Sequence, residues 1–174
     1  MNQTKLNELI LYVARKSEDD PRFGAVKLNK ILYYADFSAY RLTGASITGA
    51  TYQKLNEGPA PREMLPTRRI LLDSGDIEIV HRPYFTGIQQ RIVATREPDI
   101  SVFTTEELRI ADEVVSFFRH MTAREISDFS HREPGWILTE LGEDIPYHTA
   151  WLSSEPVPQE AEEYGRELVR QLEQ

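Results

Sequence analysis

Residues 26–44 constrain the fold more than any other stretch of this chain. Leu28, Ile31, Leu32, Ala35, Ala39 and Leu42 recur at three- and four-residue steps, so one stripe of a helix is apolar along its length. Lys27, Lys30, Tyr34 and Arg41 fall mostly on the opposite side, and the spacing predicts a basic, partly aromatic second face. Such a helix must be covered along its stripe, which makes it the central element. Gly44, lacking a β-carbon, suits a left-handed cap at its C-terminus.

Further helices and one hairpin are predicted around it. Leu6, Leu9, Ile10 and Val13 give a first amphipathic helix over residues 4–16, and a polar connector ending at Gly24 leads to the central one. A short extended segment at residues 51–55 runs into Asn56-Glu57-Gly58-Pro59, a strong turn signal. Pro66 then predicts a broken helix with its regular part over residues 65–72. Ile77 and Ile79, then Ile88, Ile92 and Ala94, recur at even steps and predict a β-hairpin turning at residues 83–87. A lone hairpin is marginal in water, so its isoleucine face must lie on the helices.

Two capping boxes follow. Thr104 with Glu107 opens a helix running to about residue 120, and Thr122 with Glu125 opens a short one to about residue 130. Trp136 opens another short helix reaching residue 141, and Ile145-Pro146-Tyr147 is extended or turned. After the break Pro156-Val157-Pro158, residues 159–172 form an acidic helix with Ala161, Tyr164, Leu168 and Leu172 on one face. The expected fold class is α+β, mainly α-helical: a single helical domain with one β-hairpin over residues 1–152. The acidic C-terminal helix within residues 153–174 is expected to dock on that domain.

Composition narrows the class. The 174 residues include no cysteine, which excludes disulfides, thiolate metal sites and cysteine nucleophiles. No apolar run approaches the roughly 20 residues a membrane span needs, and no signal-peptide layout opens the chain, so a soluble cytoplasmic protein is expected. Residues 1–90 carry 12 Lys and Arg against 10 Asp and Glu, whereas residues 91–174 carry 8 against 18. The net charge of −8 therefore divides into +2 and −10. An acidic protein is a poor nucleic-acid binder and a better match for a basic protein partner.

Catalytic patterns are sparse. His131, with Ser127, Asp128 and Glu133 around it and Trp136 nearby, is the one candidate for a general base oriented by a carboxylate. The competing reading is a ring bonded to backbone that holds a tight corner against Trp136. His81, His120 and His148 are scattered without metal-ligand spacing, so no metal is expected. Neither a nucleophile elbow nor a phosphate-binding glycine loop is present, and no cofactor is expected. Asp36 is best read as pairing locally with Arg41 or a tyrosine. Arg62, Arg68 and Arg69 with Lys27, Lys30 and Lys54 are either a contact patch or a solvated face with carboxylate neighbours. A helix pair with a hairpin is also the layout of winged-helix DNA readers, but no helix combines Arg, Asn and Gln as a recognition helix would.

In order and spacing these pieces resemble the Panacea domain family, also described as SocA-like antitoxins or GepA-like phage-associated proteins. The residues that carry the resemblance are Lys27-Leu28-Asn29-Lys30-Ile31-Leu32-Tyr33-Tyr34-Ala35-Asp36, then Leu42-Thr43-Gly44, Tyr52 through Gly58-Pro59, and Glu125-Ile126-Ser127-Asp128-Phe129-Ser130-His131 leading to Trp136. Asn56-Glu57 stands where the family often has lysine and tyrosine before Gly-Pro. The resemblance implies a non-enzymatic antitoxin of a bacterial or phage toxin–antitoxin pair, neutralising a protein toxin by direct contact. It also implies an alternative in which the domain delivers its partner to a protease.

The expected partner surface combines the exposed side of the central helix, the Gly58-Pro59 turn and the His131 loop. Its residues are Lys27, Lys30, Tyr33, Tyr34, Gly58, Pro59, His131 and Trp136. A toxin is the expected partner; a protease and a second copy of the chain are the others to consider, with no membrane and no nucleic acid.

Overall fold

The computed structural model describes residues 1–84, 87–153 and 159–172. Its centre is the helix the apolar stripe predicts, α2 (Ala25–Thr43), with α1 (Gln3–Lys16) alongside. Leu28, Ile31, Leu32 and Ala35 are at most 1% exposed, and burying a side chain as large as Leu or Ile stabilises by about 1.5–3 kcal/mol. Gly44 closes α2 at φ +80°, donating its N–H to the Tyr40 carbonyl at 2.9 Å. This is the left-handed cap its missing β-carbon permits.

Beyond α2, β1 (Tyr52–Gln53) and β2 (Ala60–Pro61) pair antiparallel across the Gly58-Pro59 turn, a second small sheet that the sequence reading did not include. The expected broken helix is instead continuous, as α3 (Met64–Asp73). Pro66 sits in its first turn, where the missing N–H has no helical partner to lose.

The predicted hairpin is β3 (Ile77–Tyr84) and β4 (Gly87–Ala94), with Ile77 opposite Ala94 and Ile79 opposite Ile92. Ile77, Ile92 and Ala94 are buried, β4 packing against α1 and α2. Ile88 departs from the expected inward face: it is 72% exposed and lines an open pocket with Arg22, Ala25, Val26 and Ala123 instead of filling the core. The hairpin tip at residues 85–86 and the proline break at residues 156–158 lie outside the described residues.

Both capping boxes form, opening α4 (Thr105–Phe118) and α5 (Ala123–Ser130). The next helix, α6 (Pro134–Leu138), starts before Trp136 because Pro134 fits the first turn with its fixed φ. A 3-10 turn at Tyr147–Trp151 returns to α2, and α7 (Gln159–Leu172) is the last described element. The outcome is mainly helical with small antiparallel sheets. Helices α1, α4 and α5, β2 and the 3-10 turn all contact α2, so its outer side is covered as well.

Candidate functional site

That coverage overturns one expectation directly. Lys27 and Lys30, read from periodicity as an exposed basic face, are each 1% exposed. Elements from elsewhere in the chain carry acceptors to both amines. Lys27 Nζ donates to Asp20 Oδ2 at 2.6 Å, to the Met121 carbonyl at 2.8 Å and to the Arg119 carbonyl at 3.0 Å. Two of these acceptors lie at the C-terminal end of α4, where carbonyls lack helical partners and the helix dipole favours a cation. Burial lowers its pKa, with the Asp20 carboxylate opposing.

Lys30 is held more sparsely. Its Nζ donates to the Pro59 carbonyl at 3.0 Å, its one hydrogen bond among the described residues. Burial brings its pKa down to about 7, with the charge of Glu57 opposing. The amine reaches this carbonyl because residue 58 is glycine. A β-carbon there would stand 2.3 Å from Ser130 Oγ and 2.5 Å from Lys30 Cε, and the backbone is at φ +95°. Ser127 Oγ donates to the Glu57 carbonyl at 2.9 Å, so α5 grips the same turn.

Further along, His131 caps α5 and stacks on Trp136, with ring centroids 4.1 Å apart and planes at 21°. Lys54 Nζ lies 3.8 Å from the Trp136 ring centroid and donates to the Thr139 carbonyl at 2.9 Å. Trp136 Nε1 reaches the Leu55 carbonyl at 3.4 Å. The carboxylates suggested as orienting groups for His131 are engaged elsewhere. Glu133 Oε1 accepts from Tyr34 Oη at 3.0 Å, and Asp128 lies 4.0 Å from Arg124. His131 Nε2 is buried with no hydrogen-bond partner among the described residues, which differs from the backbone-bonded ring of the corner reading. Stacking on Trp136, rather than a hydrogen bond from Nε2, is what holds that corner.

Lys30 meets Gly58 and Pro59, His131 stacks on Trp136, and Tyr33 touches Tyr34, whose hydroxyl bonds Glu133. These residues are thus linked across α2, the Gly58-Pro59 turn and α5–α6, whereas Lys27 is held apart by Asp20 and the residues after α4. The eight expected residues divide by depth. Lys27, Lys30, Tyr33, Gly58 and Pro59 are buried, while Tyr34, His131 and Trp136 are half-buried and reach the outside. Beneath the corner lies a cluster centred on Asp36, which is 0% exposed. Its carboxylate accepts from Thr48 N at 2.7 Å, Thr48 Oγ1 at 2.5 Å and Tyr52 Oη at 2.7 Å. Burial raises its pKa and the Thr48 and Tyr52 donors pull it down. Of the two partners considered for Asp36, the tyrosine is the one used.

Two of the three arginines of the suggested patch are engaged with near neighbours in space. Arg62 engages Asp144, the Gln53 side chain and the Gly142 carbonyl, and Arg69 lies 3.9 Å from Asp73. With Lys27 and Lys30 buried, the six basic residues do not share one surface. Among the described residues, no group of three or more His, Asp or Glu is placed to hold a metal ion, and no helix is long and apolar enough to cross a membrane. Ser127 and Ser130, named above only as neighbours of His131 and as part of the family stretch, prove to face the Gly58 turn, and Phe117 is a residue the sequence did not single out. Phe117 lies beside Phe118 but off the apolar stripe of α4, a signal that it faces out.

Fold and corner define a class: a mainly helical domain in which the polar residues of its most patterned helix are occupied internally. The model of the family described as Antitoxin SocA-like, Panacea domain matches residues 28–137, and the chain belongs to that family. No curated protein and no solved structure matches the chain.

Proposed function

We propose that this protein is an antitoxin that acts in the cytoplasm as a binding module, holding a protein toxin inactive by direct contact. The observation that carries the reading is the family match over residues 28–137. The geometry supports it. Lys27, Lys30, Asp36 and Gly58 are engaged in internal hydrogen bonds and close packing, which builds a rigid scaffold. A scaffold held from within leaves its outer surface free to be complementary to a partner. In this reading Tyr34, His131 and Trp136 contact the toxin at the rim of the corner, and Lys27, Lys30, Tyr33, Gly58 and Pro59 set the shape of that rim from beneath.

Co-expression with the product of an adjacent reading frame tests the proposal. Growth arrest by that product should be relieved by this protein, and the two should co-purify. Equal toxicity with and without it would refute the reading. Relief accompanied by a shortened toxin half-life would place the protein with protease adaptors instead.

A further inference from the structure

Beside the corner, α2, α4 and α5 enclose an open groove of about 370 Å³. Its apolar surface includes two large side chains left in solvent, Leu42 at 62% exposure and Phe117 at 58%. Aromatic rings form the floor: Tyr34 lies 4.8 Å from Phe118 and 5.7 Å from Phe129, and Phe117 lies 5.6 Å from Phe129, centroid to centroid. Rings packed on one another in this way are pre-ordered, so occupation costs little side-chain entropy. Exposed apolar area concentrated in a concave site marks an interaction surface.

The charge of the groove selects its occupant. Its charged lining residues are Glu113 and Glu133, with no Lys or Arg among them. Glu113 is paired with Arg109 on the same helix, whereas Glu133 accepts from Tyr34 and has no cation partner among the described residues. Residues 91–174, which supply α4 and α5, carry net −10. The chain's own last helix is a poor occupant, since residues 159–172 hold four Glu against two Arg. A second copy, at net −8, is disfavoured for the same reason.

We propose that this groove takes an amphipathic helical segment of the toxin, with apolar side chains inserted between Leu42 and Phe117 and Lys or Arg flanking them towards Glu133. Docking of this kind follows the helix-in-groove mode, in which buried anchors supply affinity and rim charges supply orientation and encounter rate. The assignment of the occupant to a toxin rests on the function proposed above; the preference for a basic amphipathic helix rests on the groove alone.

Two arms separate these claims. In the first, a labelled amphipathic peptide of Leu and Lys is titrated into the full chain, into the Leu42→Lys/Phe117→Lys variant, and into a Leu65→Lys control on α3, where Leu65 is 69% exposed. Affinity should fall about tenfold or more in the groove variant, remain in the control, and be absent for a Leu/Glu peptide. Melting temperatures of both variants should match the parent, since all three leucine and phenylalanine side chains are exposed. Equal peptide affinity for parent and groove variant overturns the inference. In the second arm the same variants are co-expressed with the toxin. Loss of neutralisation only in the groove variant supports the docking, and neutralisation by the groove variant overturns it. Groove-dependent peptide binding by a parent that neutralises nothing would remove the toxin reading and leave the groove as a site for basic helices.

Discussion

Lys30 and Gly58 compete for one volume: Lys30 Cε lies 2.5 Å, and Nζ 3.2 Å, from where a β-carbon on residue 58 would stand. The glycine thus admits the buried amine to the Pro59 carbonyl, and the amine in turn fixes the path of the turn. Contacts between the central helix and a loop 28 residues away decide the geometry of the corner.

Gly58→Ala should therefore be costly. Left-handed backbone strain of about 1–2 kcal/mol adds to an overpacking cost of about 1–3 kcal/mol. Gly44→Ala is the control, since Gly44 has φ +80° but nothing within 4 Å of its missing β-carbon. Urea unfolding should show the Gly58 variant losing about 2–5 kcal/mol and the Gly44 variant, which carries the strain alone, about 1–2 kcal/mol. Equal losses would mean that the contact with Lys30 and Ser130 relaxes freely.

Lys30 should give stability a pH dependence. Its pKa of about 7 in the fold lies below the ordinary 10.5, so between these values the unfolded chain holds a proton that the folded chain lacks. Stability then rises with pH through that window, is lowest below about 7 and levels off above 10.5. Compared with Lys30→Met, the parent should gain up to about 1.4 kcal/mol per pH unit as pH rises from about 7 to 9. Parallel curves for parent and variant would show that the amine stays charged in the fold.

Asp36 accepts three hydrogen bonds while fully buried, so its loss should be felt throughout the core. Asp36→Asn turns an amide nitrogen towards groups that themselves donate, at an expected cost of about 2–3 kcal/mol. Tyr52→Phe removes one donor and should cost about 1 kcal/mol. The double variant should lose less than the sum of the single losses, because both changes break the same bond. Strict additivity in urea unfolding would contradict the shared bond.

His131→Ala removes one layer of the stack on Trp136 and should cost about 1 kcal/mol. Trp136 emission should shift to the red as water reaches the uncovered ring. An unchanged melting temperature together with unchanged emission would show that the stack contributes nothing to the corner.

Much of the architecture was legible in the sequence because its signals are local. Apolar steps along residues 26–44 specify α2, and Gly44 specifies its end. Each capping box joins groups three residues apart, Thr104 with Glu107 and Thr122 with Glu125, and both form. Where a local rule allowed two outcomes, the reading went astray. Pro66 can break a helix or sit in its first turn, and only the start of α3 at Met64 decides between them. The candidate corner was legible only in part: Lys30, Gly58 and Pro59 do meet, whereas Lys27 is tied to Asp20 and the residues after α4, and neither lysine lies on a surface.

By itself, then, the sequence determined the central helix, the two capping boxes, the presence of the hairpin and the family signature, all of which rest on spacing along the chain. Tertiary structure alone decided which side of α2 faces water. Whether a lysine is buried depends on acceptors brought to it from far away, and those of Lys27 and Lys30 come from the residues just after α4, the 17–20 connector and the Gly58-Pro59 turn. Periodicity counts positions around a helix and cannot register a carbonyl 94 residues further on that makes burial of an amine tolerable.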